Sequence, residues 1–285
     1  MIRDHLKLQA IILLWSFTAI LGALIELSSE SLVIYRTSLA ALCLLIWLRS
    51  RCRIPFRDAL SFTATGFIIG AHWLTFFQAV KIANVSICMI GIATTTLWTA
   101  LLEPIMIKKR RLRPIDVIFG VIIIIGVYFI YKNELSYSDG FLIAILSAFL
   151  AALFSVFNDF HIKKANHLVI TYYEMLGASL FAFVYLTLNG GKMEIPPRAQ
   201  DWLWIFVLSI FCTVIAFSQS VELLKRLSVF AINFANNLEP VYGILLAFLI
   251  LKDHHSLNPN FYTGAGIILL AICSYPIVRK RIVAT

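Results

Sequence analysis

Residues 224–269, "LKRLSVFAINFANNLEPVYGILLAFLILKDHHSLNPNFYTGAGIIL", lie over residues 80–125, "VKIANVSICMIGIATTTLWTALLEPIMIKKRRLRPIDVIFGVIIII", after a shift of about 144 positions. The register pairs Lys81 with Lys225, Val85 with Val229, Leu101 and Leu102 with Leu245 and Leu246, Lys108 with Lys252, and Gly120 with Gly264. It also sets Thr96 opposite Pro240 and Trp98 opposite Tyr242. Apolar sequences coincide readily, so this match gains its weight from the chain around it.

That chain is mostly apolar. Hydrophobic residues make up 60% of 285 and the mean hydropathy is +0.88, against roughly 45 to 50% apolar usage in soluble domains. Runs near 20 residues recur throughout, each long enough to cross a ~30 Å hydrocarbon core as a helix rising ~1.5 Å per residue. Breaking them at charges, Pro, Gly and Asn predicts about ten spans, near 6–27, 31–49, 58–80, 84–107, 115–131, 139–158, 169–189, 201–223, 228–251 and 260–278. The first run is longer than the ~7 to 15 residues of a signal-peptide core and lacks a cleavage pattern, so it reads as a retained span. No soluble domain remains.

Ten spans divide into five plus five, which places one unit at 1–134 and the other at 135–285. An odd number of crossings per unit turns the second upside down relative to the first, the inverted repeat of many secondary transporters. The expected fold is therefore an all-α integral membrane protein of two inverted five-helix repeats.

Lys and Arg number 24 against 15 Asp and Glu. In a multi-pass chain this excess belongs to the basic loops that stay in the cytoplasm, not to nucleic-acid binding. With the N-terminus inside, 18 basic residues fall on the cytoplasmic side and five outside. The inner set includes Arg49, Arg51, Arg53 and Arg57, the Lys108 to Arg113 cluster, and Arg279 to Arg281. Both termini are expected in the cytoplasm. The five cysteines are scattered among apolar runs, with neither disulfide nor zinc spacing.

Arg36 is the one basic residue left inside a span. It could bind a carboxylate, or pair with Glu26 or Glu30 in the neighbouring outer turn. Glu239 lies about 11 residues into the ninth span, roughly 16 Å deep at ~1.5 Å per residue. At ~100° per residue it shares one polar stripe with Asn233, Asn236 and Asn237, which should face the bundle or a wet cavity. Pro240 has no N–H and so frees the Asn236 carbonyl as a further acceptor. Glu239 could bind an amine or carry a proton; the alternative is a hydrogen-bonded strut between helices.

Other candidates are weaker. His72 in the third span could relay protons, although an interhelical hydrogen bond is the simpler role. Glu174 follows Tyr172 and Tyr173 in the seventh span and reads as a gate or an interface anchor. Trp15, Trp98 and Tyr242 could stack on a flat solute or simply pack. Glu103 can pair with the basic loop that follows it.

A membrane-embedded metal-dependent hydrolase is the rival from another class, using "NDFHIKKANH" or "KDHHS". The topology puts Asp159, His161 and His167 on one side and Asp253, His254 and His255 on the other, so they cannot share an ion. Neither a nucleophile elbow nor a Walker motif is present. No metal, cofactor or catalytic residue is expected. A channel or structural subunit stays open, as do proton coupling and the oligomeric state.

The stretches "LLWSFTAILG" around Trp15, "VIYRTSLAALCLLIWL" with Arg36, "FFQAVKIANVSICMIG" and "LEPVYGILLAFLILKDHHSLNPNFYTGAGIILLAI" resemble the EamA-type transporters of the drug/metabolite transporter superfamily. In that family a Pro in the ninth span, a helix-turn-helix after it and a Gly in the tenth recur, as Pro240, the Lys252 to Pro259 turn and Gly264 do here. The resemblance implies ten spans, residence in the plasma (inner) membrane, and export or exchange of small metabolites. It leaves the solute unnamed. Thr96 departs from the pattern by standing where the repeat pairs it with Pro240, so a bend in the fourth span is open.

Overall fold

The computed structural model describes residues 2–107, 110–131, 138–251 and 259–283. Every regular element among them is helical: α1 (Ile2–Leu24), α2 (Ser29–Leu48), a short 3-10 turn (Arg49–Cys52), α3 (Phe56–Ile82), α4 (Val85–Ile92), α5 (Thr95–Met106), α6 (Pro114–Tyr131), α7 (Ser138–His161), α8 (His167–Leu188), α9 (Ala199–Ser209), a π turn (Ile210–Ile215), α10 (Ala216–Leu223), α11 (Val229–Ala235), α12 (Leu238–Leu251) and α13 (Pro259–Val283). The Lys252 to Asn258 segment, with Asp253, His254 and His255, and the pair Lys108 and Lys109 lie outside the described residues.

Among the described residues, seven helical segments are long and apolar enough to cross a membrane: Arg3–Leu24, Ser29–Cys52, Phe56–Ile82, Ile87–Met106, Ser138–His161, His167–Leu188 and Ala199–Leu223. Pro114–Phe129 and Tyr262–Tyr275 are shorter apolar helices. Large side chains such as Leu42, Ile46, Leu180, Leu203 and Leu249 are exposed on the outside of the bundle, as a helix facing lipid requires.

Inside lipid, helices associate through close packing of small residues, since the surrounding chains are as apolar as leucine. The contact between α3 and α8 follows this rule. A Cβ on Gly66 would overlap the Glu174 carbonyl, and one on Gly177 the Thr63 carbonyl. Gly70 sits one turn on, its Cβ position 2.9 Å from the Ala178 carbonyl.

Ion pairs and hydrogen bonds define the two ends. At the end holding the N-terminus, Arg226 meets Asp4 at 2.7 Å, Lys7 meets Glu222 at 2.5 Å, Lys164 meets Asp58 at 3.5 Å and Lys163 meets Asp159 at 2.5 Å. Arg110 bridges Glu103 and Asp159 there, and the Tyr275 hydroxyl donates to Asp116 at 2.7 Å. We call this the terminal end. At the distal end Arg198 pairs with Glu26 at 2.9 Å and Asp201 at 2.7 Å, and Gln78 donates to Glu30 at 3.4 Å.

The fourth span is interrupted rather than continuous. It breaks between α4 and α5 at Ala93 and Thr94, as the ninth breaks between α11 and α12 at Asn236 and Asn237. In the fourth span threonine does what no proline is there to do. The Thr94 hydroxyl donates to the Gly91 carbonyl and that of Thr95 to the Ile92 carbonyl, both at 2.7 Å, competing with the helical ladder. In the ninth, the Asn237 amide donates to the Phe234 carbonyl at 2.8 Å and Pro240 occupies the first turn of α12, where its missing N–H does no harm. The Asn236 carbonyl is not left free as the sequence suggested: the Glu239 N–H takes it at 2.8 Å.

Candidate functional site

The two broken segments cross at their breaks, α11 against α5 and α12 against α4. Beside the crossing lies a cavity of about 100 Å³, also walled by α1, α2, α3, α7 and α10. Arg36, His72, Asn233, Asn236, Asn237, Glu239 and Trp15 all border it, so the structure gathers seven of the residues singled out in sequence. Trp98 and Tyr242 it does not. Trp98 packs edge-on against Phe149, ring centres 5.3 Å apart, and the Tyr242 hydroxyl reaches Gln9 at 3.3 Å.

Arg36 is 1% exposed, yet it pairs with neither Glu26 nor Glu30, which are held at the distal end by Arg198 and Gln78. Its Nε donates to the Thr213 hydroxyl at 2.7 Å, and its guanidinium lies 3.9 Å from the centre of the Trp73 ring. Nη1 has no protein partner. A guanidinium clamped on one edge and one face, with a donor left over, is pre-organised to receive a carboxylate.

Thr213 reaches Arg36 because the helix around it is a π turn. Its hydroxyl also donates to the Leu208 carbonyl, five residues back, at 2.9 Å, and the Cys212 carbonyl takes the Trp15 indole N–H at 3.1 Å. One extra residue in the turn thus fixes both an arginine and a tryptophan on the cavity wall. Such turns cluster at functional sites.

Glu239 sits opposite, 8% exposed. Its backbone carbonyl accepts from Ser16 at 3.3 Å, but its carboxyl makes no ion pair among the described residues. Asn236 borders the cavity beside it with an unpartnered Oδ1. The other two asparagines of the stripe are already engaged across the crossing. Asn233 donates to the Thr99 hydroxyl at 2.8 Å and Asn237 to the Thr96 hydroxyl at 2.5 Å, while Thr96 donates to the Asn233 carbonyl at 3.3 Å.

His72 takes the interhelical role: its Nδ1 meets the Ser147 carbonyl at 2.9 Å and the Ser147 hydroxyl at 2.8 Å. Phe154 and Phe217, 5.9 Å apart between ring centres, close the apolar side of the cavity. Asn158 and Ser155 of α7, with Ser220, Val221 and Leu224, extend the lining toward the terminal end. Asn158 and Thr213 escaped the sequence reading. Asn158 lies in the polar run "NDFHIKKANH", read there only for metal ligands, and a π turn leaves no sequence signal that would have pointed to Thr213.

Residues 7–132 and 138–275 match the EamA-like transporter family. The chain belongs to that family. It is a multi-pass membrane transporter of the drug/metabolite transporter superfamily, and Arg36, Glu239 and the broken helices lie in its interior. The chain is similar to an uncharacterized transporter of Archaeoglobus fulgidus, 24% identical over 98% of both chains. It also resembles in fold a protein of known crystal structure, with a TM-score of 0.77, 17% identity and 99% of both chains covered.

Proposed function

We propose that this EamA-like protein is a secondary transporter that exports small amino-acid-like zwitterions across the plasma membrane. The observation that carries the reading is one pair of charges. Arg36 and Glu239 face one cavity from α2 and α12, are not bonded to each other, and are held by different neighbours. A solute bearing both a carboxylate and an ammonium would satisfy the two at once, with Trp15, Phe154 and Phe217 left to hold its apolar part.

Two inverted five-helix repeats, 1–134 and 135–285, would supply alternating access by rocking about the crossing of the broken helices. The paired breaks at Ala93–Thr94 and Asn236–Asn237 support that arrangement. Ten crossings follow if α4–α5, α9–α10 and α11–α12 each count as one span and α6 and α13, whose apolar stretches are shorter, cross as well. The basic loops gathered at the terminal end support a cytoplasmic placement of that end. The cavity extends toward the same end, so this conformation is suited to loading from inside.

The test compares intracellular and medium pools of amine-bearing metabolites in cells overproducing the wild type, Glu239→Gln, or neither. An amino-acid-like metabolite that accumulates outside only with the wild type supports export and names the solute. Unchanged pools with equal amounts of both proteins in the membrane remove the export reading.

A further inference from the structure

A second buried acid lies behind the cavity wall. Glu174, on α8, is wholly buried, and neither carboxyl oxygen has a partner within 3.5 Å, the Asn158 amide being the donor nearest to it. It is absent from the cavity lining. The side chain that faces it is Asn158 of α7, which itself borders the cavity and carries an unpartnered Oδ1.

The surroundings are polar on one side. Thr171, one turn before Glu174, has a buried hydroxyl without a partner. His161, one turn after Asn158, shares its Nε2 with the Thr65 hydroxyl at 2.8 Å while Nδ1 has no partner. Buried polar groups in native proteins are nearly always satisfied, so a cluster of five unpartnered atoms on α7 and α8 calls for an occupant. The close approach of Gly66 and Gly177 at this level leaves no space for a solute between α3 and α8. Only something very small fits.

We propose that Glu174 is a proton-binding site, in contact with the central cavity through Asn158, and that it couples solute movement to protons. An ionised carboxylate inside the membrane needs donors or a counter-charge. Ionisable side chains stand on the elements packed against α8, on α8 itself and on α7, which supplies Asn158: Glu30, Tyr35, Arg36 and Cys43 on α2, Arg49, Arg51 and Cys52 in the 3-10 turn, Arg57, Asp58, His72 and Lys81 on α3, Glu222 on α10, His167, Tyr172, Tyr173 and Tyr185 on α8, and Asp139, Asp159 and His161 on α7. None of them gives Glu174 a hydrogen bond or ion pair among the described residues. In the proposed cycle the carboxyl takes up a proton and releases it to water in the cavity, past the Asn158 amide, when the helices rearrange. The coupling rests on the transporter reading; the proton site does not.

Infrared spectroscopy of the full-length protein in liposomes tests the site without a solute. The wild type should show a protonated-carboxyl band that Glu174→Gln abolishes and Glu239→Gln does not, and the band should move in D2O. Asn158→Leu, which leaves Glu174 in place, should shift it; this arm decides the matter if Glu174→Gln fails to fold. A spectrum unchanged by Glu174→Gln, unshifted by Asn158→Leu or unmoved in D2O overturns the proposal. In the same liposomes, with radiolabelled phenylalanine as probe, Glu174→Gln should keep counterflow and lose uptake driven by a pH gradient. Retained gradient-driven uptake overturns the coupling. Absence of any phenylalanine movement in the wild type counts against the amino-acid reading alone, and the infrared result still decides the proton site.

Discussion

The side-chain amide of Asn233 donates to the Thr99 hydroxyl at 2.8 Å, joining α11 to α5 where the two broken helices cross. Together with the bond from Asn237 to Thr96 at 2.5 Å, it binds the first half of the chain to the second at the depth where both backbones interrupt their ladders. Interhelical hydrogen bonds in membranes contribute about 0.6 kcal/mol on average and at most about 1.7 kcal/mol. A double-mutant cycle on Asn233→Leu and Thr99→Val, read as unfolding free energy in lipid, should therefore give a coupling in that range. A coupling indistinguishable from zero would mean that the crossing is held by packing alone.

Arg36→Lys should weaken the carboxylate site while sparing the fold. Lysine keeps the charge but loses the planar fork that Thr213 grips and the stacking on Trp73. Hydrogen bonds to charged groups are worth about 1.5 to 3 kcal/mol, so solute affinity should drop by roughly ten- to hundredfold. Counterflow titrations would show it as a raised half-saturation concentration, and unaltered affinity would remove Arg36 from the site.

Glu239→Gln keeps the shape of the side chain and removes its charge. Transport of an amine-bearing solute should decrease by at least about tenfold, on the same scale of charged hydrogen bonds, with the folded yield unaltered. Equal transport at equal yield would reduce Glu239 to a strut between α12 and its neighbours.

Gly177→Leu should destroy the helix pair α3 and α8. Backbone of Thr63 and Gly66 occupies the place a Cβ on this glycine would take, so no rotamer can relieve the overlap, and overpacking of this kind costs about 1 to 3 kcal/mol or more. The folded fraction in mild detergent, followed by size-exclusion chromatography, should collapse. Gly266→Ala, with open space at its Cβ position, is the matched control.

The sequence made the helical bundle plain because lipid imposes length and polarity so strictly. Helix limits such as 114–131 for α6 and 167–188 for α8 fall within a few residues of the apolar runs. It also marked Arg36 and Glu239, since a charge inside hydrocarbon stands out. What it could not supply was partners. The choice of Thr213 over Glu26 or Glu30 for Arg36 depends on a local π turn, and the division of the asparagine stripe depends on which helix crosses it. The threonine-made break in α4–α5 was equally hidden, because threonine in a helix usually causes no break at all.

The π turn sets the phase of everything that follows it in the span. An α-helix carrying one surplus residue has its later side chains rotated by about 100° relative to an uninterrupted helix. Phe217, Ser220 and Val221 face the cavity on account of that offset. Loss of a single residue between Ile210 and Ile215 would swing them toward other helices while leaving α9 in place, so one codon separates this cavity wall from a differently shaped one.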